Sequence, residues 1–121
     1  MSDSSLSILL VEDDPIVLEC TATMLADGGC EVRRASSVAE AMILLCAGPL
    51  PDVVVTDIRL AEDSSGLDLA RTVAERWPQV KLLLVSGEER PAREDYPEGA
   101  LFFTKPYAQG ALLTMCRESA W

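Results

Sequence analysis

No histidine occurs anywhere in the 121 residues. That absence removes Ser-His-Asp and Cys-His nucleophilic catalysis, His-ligated zinc and a phosphohistidine carrier. The four cysteines, Cys20, Cys30, Cys46 and Cys116, stand 10, 16 and 70 residues apart with no CxxC pair. Neither a zinc site nor a dithiol redox centre is therefore indicated, and the cysteines read as small apolar core residues in a reducing compartment. Basic residues are scarce: 10 against 20 acidic ones give a formal charge of −10 without any Lys/Arg patch. Such a charge balance argues against direct binding to nucleic acid or to an anionic membrane surface. No apolar run has the length of a membrane span. The opening MSDSSLSILLVEDD lacks a basic start and meets acids directly after a short apolar stretch, so no signal peptide is expected and the chain is placed in the cytoplasm. Repeats, linkers and low-complexity segments are also lacking.

What remains is the composition of one compact domain, residues 1–121, with 49% hydrophobic and 25% charged residues. A chain of this size buries roughly two thirds of its unfolded surface and folds without disulfides or a structural metal. Short, nearly continuous apolar runs recur at Leu6 to Val11, Val53 to Thr56, Leu82 to Val85 and Leu101 to Thr104, with a weaker one from Cys30 to Ala35. Runs of this kind mark strands buried on both faces, as in a parallel sheet.

Helix signals fill the gaps. Asp14 before Pro15 supplies an N-cap and a favoured first position, and Gly28-Gly29 ends that helix. Ser37-Val38-Ala39-Glu40 reads as a capping box, with Gly48-Pro49 as the stop. A third helix runs from about Gly66 to Trp77, with Leu69, Val73 and Trp77 on one face, and a fifth follows Pro106 with Leu112, Leu113 and Cys116 as its stripe. Between them, Gly87 to Gly99 holds seven charged residues in thirteen together with Pro91 and Pro97, which predicts a short or irregular fourth helix. Alternating strands and helices give an α/β domain: a doubly wound, five-stranded parallel sheet with right-handed crossovers and helices on both faces.

In open parallel sheets, ligands bind beyond the carboxyl ends of the strands. The residues there form a pattern: Glu12, Asp13 and Asp14 after the first run, Asp57 after the third, Ser86 after the fourth, and Lys105-Pro106 after the fifth. Carboxylates gathered without an arginine repel one another, and a hard divalent cation such as Mg2+ relieves them. A free carboxylate oxygen can then attack a phosphoryl group while the metal and a lysine offset the charge on the transferring oxygens. A hydroxyl completes the set by donating to a phosphate oxygen. Asp14 is already accounted for as a helix cap.

The motifs Ile8-Leu9-Leu10-Val11-Glu12-Asp13-Asp14, Val55-Thr56-Asp57, Val85-Ser86-Gly87 and Phe103-Thr104-Lys105-Pro106, in this order, make the whole chain resemble a response-regulator receiver domain. The resemblance implies a flavodoxin-like fold with strand order 2-1-3-4-5. It makes Asp57 the phosphoacceptor, Asp13 a direct Mg2+ ligand, Glu12 an outer-shell one, and the backbone carbonyl of Arg59 the remaining protein ligand. Lys105 would contact the phosphoryl group across a cis Lys105-Pro106 bond, and Ser86 and Phe102 would be the switch pair. The face formed by the fourth helix, fifth strand and fifth helix would carry output and homodimer contacts. A histidine kinase or histidine phosphotransfer protein would be the donor, and an unidentified protein the downstream partner. The chain would catalyse only its own Mg2+-dependent phosphorylation and dephosphorylation, and would act without an output domain or as a domain cut from a larger protein.

Two features depart from the family pattern: Ala61 stands where a proline is common, and the aromatic switch position is Phe rather than Tyr. Arg59 and Glu88, each two residues past a site residue, are placed to pair over the pocket mouth and slow water attack. Two rivals stay open. A haloacid-dehalogenase-like phosphatase uses similar groups but needs a second Asp two residues after the first, where Arg59 stands. A pseudo-receiver would keep the fold without the chemistry.

Overall fold

The computed structural model describes residues 6–58, 66–86, 97 and 99–104 of the chain, with residues 103 and 104 described by backbone alone. Strands β1 (Ser7–Val11), β2 (Glu31–Ala35), β3 (Val53–Asp57), β4 (Lys81–Ser86) and β5 (Leu101–Thr104) alternate with helices α1 (Pro15–Asp27), α2 (Val38–Ala47) and α3 (Gly66–Arg76). All strand pairs are parallel and the order across the sheet is β2-β1-β3-β4-β5. This is the expected fold. The expected fourth and fifth helices fall outside the described residues.

The continuous apolar runs have a simple cause: alternate residues of each central strand feed two separate cores. Leu9, Val11, Val54, Leu82 and Leu84 point to one side, where they meet Ala41 and Leu45 of α2 and Leu69, Ala70 and Val73 of α3. Ile8, Leu10, Val53, Val55, Leu83 and Val85 point to the other, against Leu18, Ala22 and Leu25 of α1. Since strand side chains alternate between faces, a strand covered on both sides is apolar along nearly its whole length. Burying each such side chain contributes about 1.5–3 kcal/mol, which is why β1, β3 and β4 anchor the sheet.

The helix ends follow their capping signals. Asp14 accepts hydrogen bonds from the amides of Ile16 and Val17 at 2.9 and 3.2 Å, with Pro15 in the first turn. At the other end, Gly28 donates back to Met24 and Leu25, and Gly29 adopts φ 97°, a conformation that favours glycine. Ser37 accepts from the Glu40 amide at 3.1 Å. The return half of the expected box is displaced by one residue: Glu40 accepts from the amide and hydroxyl of Ser36, at 2.6 and 3.0 Å, rather than from Ser37. These two bonds, the backbone one first, hold the Glu40 carboxyl below the usual glutamate range.

The expectation of core cysteines needs correcting. Cys30 is buried, but Cys20 and Cys46 are exposed on the outer faces of α1 and α2, and Cys116 lies outside the described residues. Helix α2 is apolar nearly all round, so composition alone does not tell its inner face from its outer one, and Ile43 is 68% exposed.

Candidate functional site

The carboxyl ends of β1 and β3 are neighbours in the sheet, with Val11 opposite Thr56, so the residues that follow β1 lie beside Asp57. Glu12, Asp13 and Asp57 each offer a carboxylate oxygen, and these oxygens all lie within 4.8 Å of one another. Glu12 is buried, whereas Asp13 and Asp57 are half-buried. Glu12 is fixed at both ends: its amide donates to the Ala35 carbonyl at 3.0 Å, and its carboxylate accepts from the Asp14 amide at 3.2 Å. At this spacing two carboxylates repel by about 1–3 kcal/mol for effective dielectrics between bulk water and a protein surface. Hard oxygen donors of this kind suit Mg2+, which takes one or two carboxylates and keeps several waters.

Asp57 is held by its own backbone. The peptide group joining it to Ile58 donates from Ile58 to the Val85 carbonyl at 2.9 Å and accepts the Thr56 hydroxyl on the Asp57 carbonyl at 3.0 Å. Gly66, the first residue of α3, packs directly on this peptide. A β-carbon there would stand 2.8 Å from the Asp57 carbonyl carbon, 3.0 Å from Ile58 Cα and closer still to the Asp57 oxygen. The Gly66 amide donates to the Ile58 carbonyl at 2.8 Å. Sequence reading missed both Thr56 and Gly66 as neighbours of the acceptor. The available signals were a hydroxyl ending an otherwise aliphatic strand and a glycine opening a helix.

Ser86, the last residue of β4, is buried, and β4 pairs with β3 so that Val85 stands opposite Asp57. Its partner across β5 is Thr104. Phe102, opposite Leu84, is half-buried and packs against the core formed with α2 and α3. The structure thus brings Glu12, Asp13, Asp57 and Ser86 to one edge of the sheet. Asp14 does cap α1, as its position before Pro15 implies. Arg59, Lys105 and the Lys105-Pro106 bond, along with the Arg59 and Glu88 pair, lie outside the described residues.

An acidic triad and a buried serine at the carboxyl edge of a 2-1-3-4-5 parallel sheet coincide with a match to the response regulator receiver domain model over residues 8–117. The chain belongs to that family. It is a receiver of two-component signalling. The receiver is 36% identical over 107 residues to the response regulator protein PilR of Pseudomonas aeruginosa, a match covering 86% of the chain and 24% of PilR. It is 34% identical over 121 residues to the response regulator protein TmoT of Ectopseudomonas mendocina, covering 97% of the chain and 54% of TmoT. The chain therefore spans about half or less of the length of these curated relatives. Among solved structures, a response regulator receiver protein from Sinorhizobium medicae superposes with a TM-score of 0.85 at 30% identity, covering 98% of this receiver and 97% of that chain. A receiver protein from Pseudomonas putida gives 0.85 at 26% identity, covering 97% and 99%. Among the described residues no helix is long and apolar enough to cross a membrane.

Proposed function

We propose that this receiver accepts a phosphoryl group on a carboxylate oxygen of Asp57 from a histidine kinase or a histidine phosphotransfer protein, in a Mg2+-dependent reaction. The observation that carries the reading is the convergence of Glu12, Asp13 and Asp57 within 4.8 Å at the edge of the sheet where ligands bind. Bound Mg2+ would offset the charge on the phosphoryl oxygens. Asp13 and Asp57 would hold it directly, the Arg59 carbonyl would complete the protein's ligands, and the buried Glu12 would act from the outer shell. The Asp57 oxygen forms a bond to phosphorus as the bond between phosphorus and the donor's imidazole nitrogen breaks, and that electron pair returns to the ring.

Lys105 would place its ammonium against the phosphoryl group, and the Ser86 hydroxyl would donate to one of its oxygens. Drawing Ser86 inward leaves room into which Phe102 repacks, shifting a pre-existing equilibrium of the output face. The protein consumes its own side chain in this step, so it is a phosphoacceptor that promotes only its own phosphorylation and dephosphorylation, not an enzyme that turns over a substrate. The receiver would act in the cytoplasm, and its downstream partner would be a protein.

Intact mass measured after incubation with acetyl phosphate, with and without Mg2+, tests the reading. Wild type should gain one labile phosphoryl group only when Mg2+ is present, and Asp57→Asn should gain none. Turnover on phosphate esters would favour the phosphatase rival instead, and no gain from either acetyl phosphate or a phosphohistidine donor would make the domain a pseudo-receiver.

A further inference from the structure

Thr56 is fully buried, opposite Val11 on one side and Leu84 on the other, in a strand whose other inner residues are all valine. A hydroxyl buried in such a setting is unfavourable unless it is hydrogen-bonded, and valine fills the same place without that demand. The hydroxyl's partner is the Asp57 carbonyl, 3.0 Å away. The other end of the same peptide group, the Ile58 amide, is tied to Val85 at 2.9 Å, and Gly66 closes over its face. This peptide is the point from which the Asp57 side chain and the chain leading to Arg59 both leave the sheet. It must keep its orientation while the Asp57 carboxylate is repelled by Glu12 and Asp13 within 4.8 Å.

We infer that Thr56 is a positioning residue for the phosphoacceptor: its hydroxyl, through the Asp57 carbonyl, holds the Asp57 carboxylate in register with Glu12 and Asp13. The inference rests on the reading of Asp57 as the acceptor. Its distinguishing property is that it depends on the hydroxyl and not on the volume of the side chain.

The test compares wild type with Thr56→Val, Thr56→Ala and Thr56→Ser in phosphorylation time courses with acetyl phosphate across a Mg2+ titration, with thermal unfolding followed by circular dichroism. Misplacing a reacting group by about 1 Å costs about a hundredfold in rate, so loss of one of several restraints should slow phosphorylation about tenfold in the Val and Ala variants. Both should also need more Mg2+ for half-maximal rate, while Thr56→Ser stays within about twofold of wild type because it keeps the hydroxyl. The Ala variant keeps the comparison alive if valine does not fold. A purely structural role predicts the opposite division: melting temperatures fall while rates and Mg2+ dependence measured well below them match wild type. That result, or a serine variant as slow as the valine one, overturns the inference while leaving Asp57 as acceptor. A wild type that gains no phosphoryl group overturns the acceptor reading and this inference together.

Discussion

Gly66→Ala is the substitution whose outcome follows most directly from the packing around Asp57. The new methyl would sit 2.8 Å from the Asp57 carbonyl carbon and 3.0 Å from Ile58 Cα, where carbon atoms prefer about 3.5–4.0 Å. The atoms it meets are backbone, locked into the sheet through the Ile58 to Val85 hydrogen bond, so no side chain can swing aside. Relief requires the start of α3 to move by more than about an ångström, which draws its own Leu69, Ala70 and Val73 out of their packing in the core. Overpacking of this sort costs about 1–3 kcal/mol, and the rigid surroundings put this case at about 3. The helix preference of alanine over glycine returns at most about 1 kcal/mol, leaving a net loss of about 2 kcal/mol. For a domain of this size that lowers the melting temperature by about 8 °C. Thermal unfolding followed by circular dichroism measures it, and a variant that melts at or above the wild-type temperature would mean that Gly66 does not pack on the Asp57 peptide as described.

Three further outcomes are expected. Asp14→Ala removes the two amide bonds that cap α1 and should cost about 1 kcal/mol in urea unfolding without changing the slope of the transition. Asp13→Asn removes one of three mutually repelling charges and with it two repelling pairs, so without metal the variant should be more stable than wild type by about 2 kcal/mol, while the rise in melting temperature on adding Mg2+ should shrink. Glu40 has a carboxyl pKa lowered by its bonds from Ser36, so the stability it contributes is present above its unfolded pKa and is lost as pH falls through the lower folded value. The group is exposed and the effect small, so the measurement is an NMR titration: in Ser36→Ala the Glu40 pKa should rise, since the hydroxyl's contribution is gone.

The central strands were legible because burial on both faces makes the middle of β1, β3 and β4 a continuous apolar run, with polar residues only towards the ends. The ends of α1 and α2 were legible because Asp14-Pro15, Gly28-Gly29 and Ser37 act through neighbours a few residues away. The acidic triad was legible for a topological reason: once β1 and β3 are adjacent, the acids that follow each must meet. Contacts set by distant packing were not. Gly66 touches Asp57 only because α3 returns over the end of β3, and nothing local to either residue announces it. Glu40 chose Ser36 over the equally plausible Ser37. Cys20 and Cys46 are small enough to sit on an outer face at little cost, so their apolar character did not place them.

If the proposed chemistry holds, Asp57, and no other carboxylate of the triad, carries the phosphoryl group. Acyl phosphates are reduced by borohydride to the corresponding alcohol, so treating the phosphorylated protein and mapping its peptides reports the acceptor directly. Homoserine should appear at position 57, dependent on Mg2+ and on the phosphoryl donor. Reduction at Glu12 or Asp13, or homoserine at position 57 in equal yield without Mg2+, would contradict it.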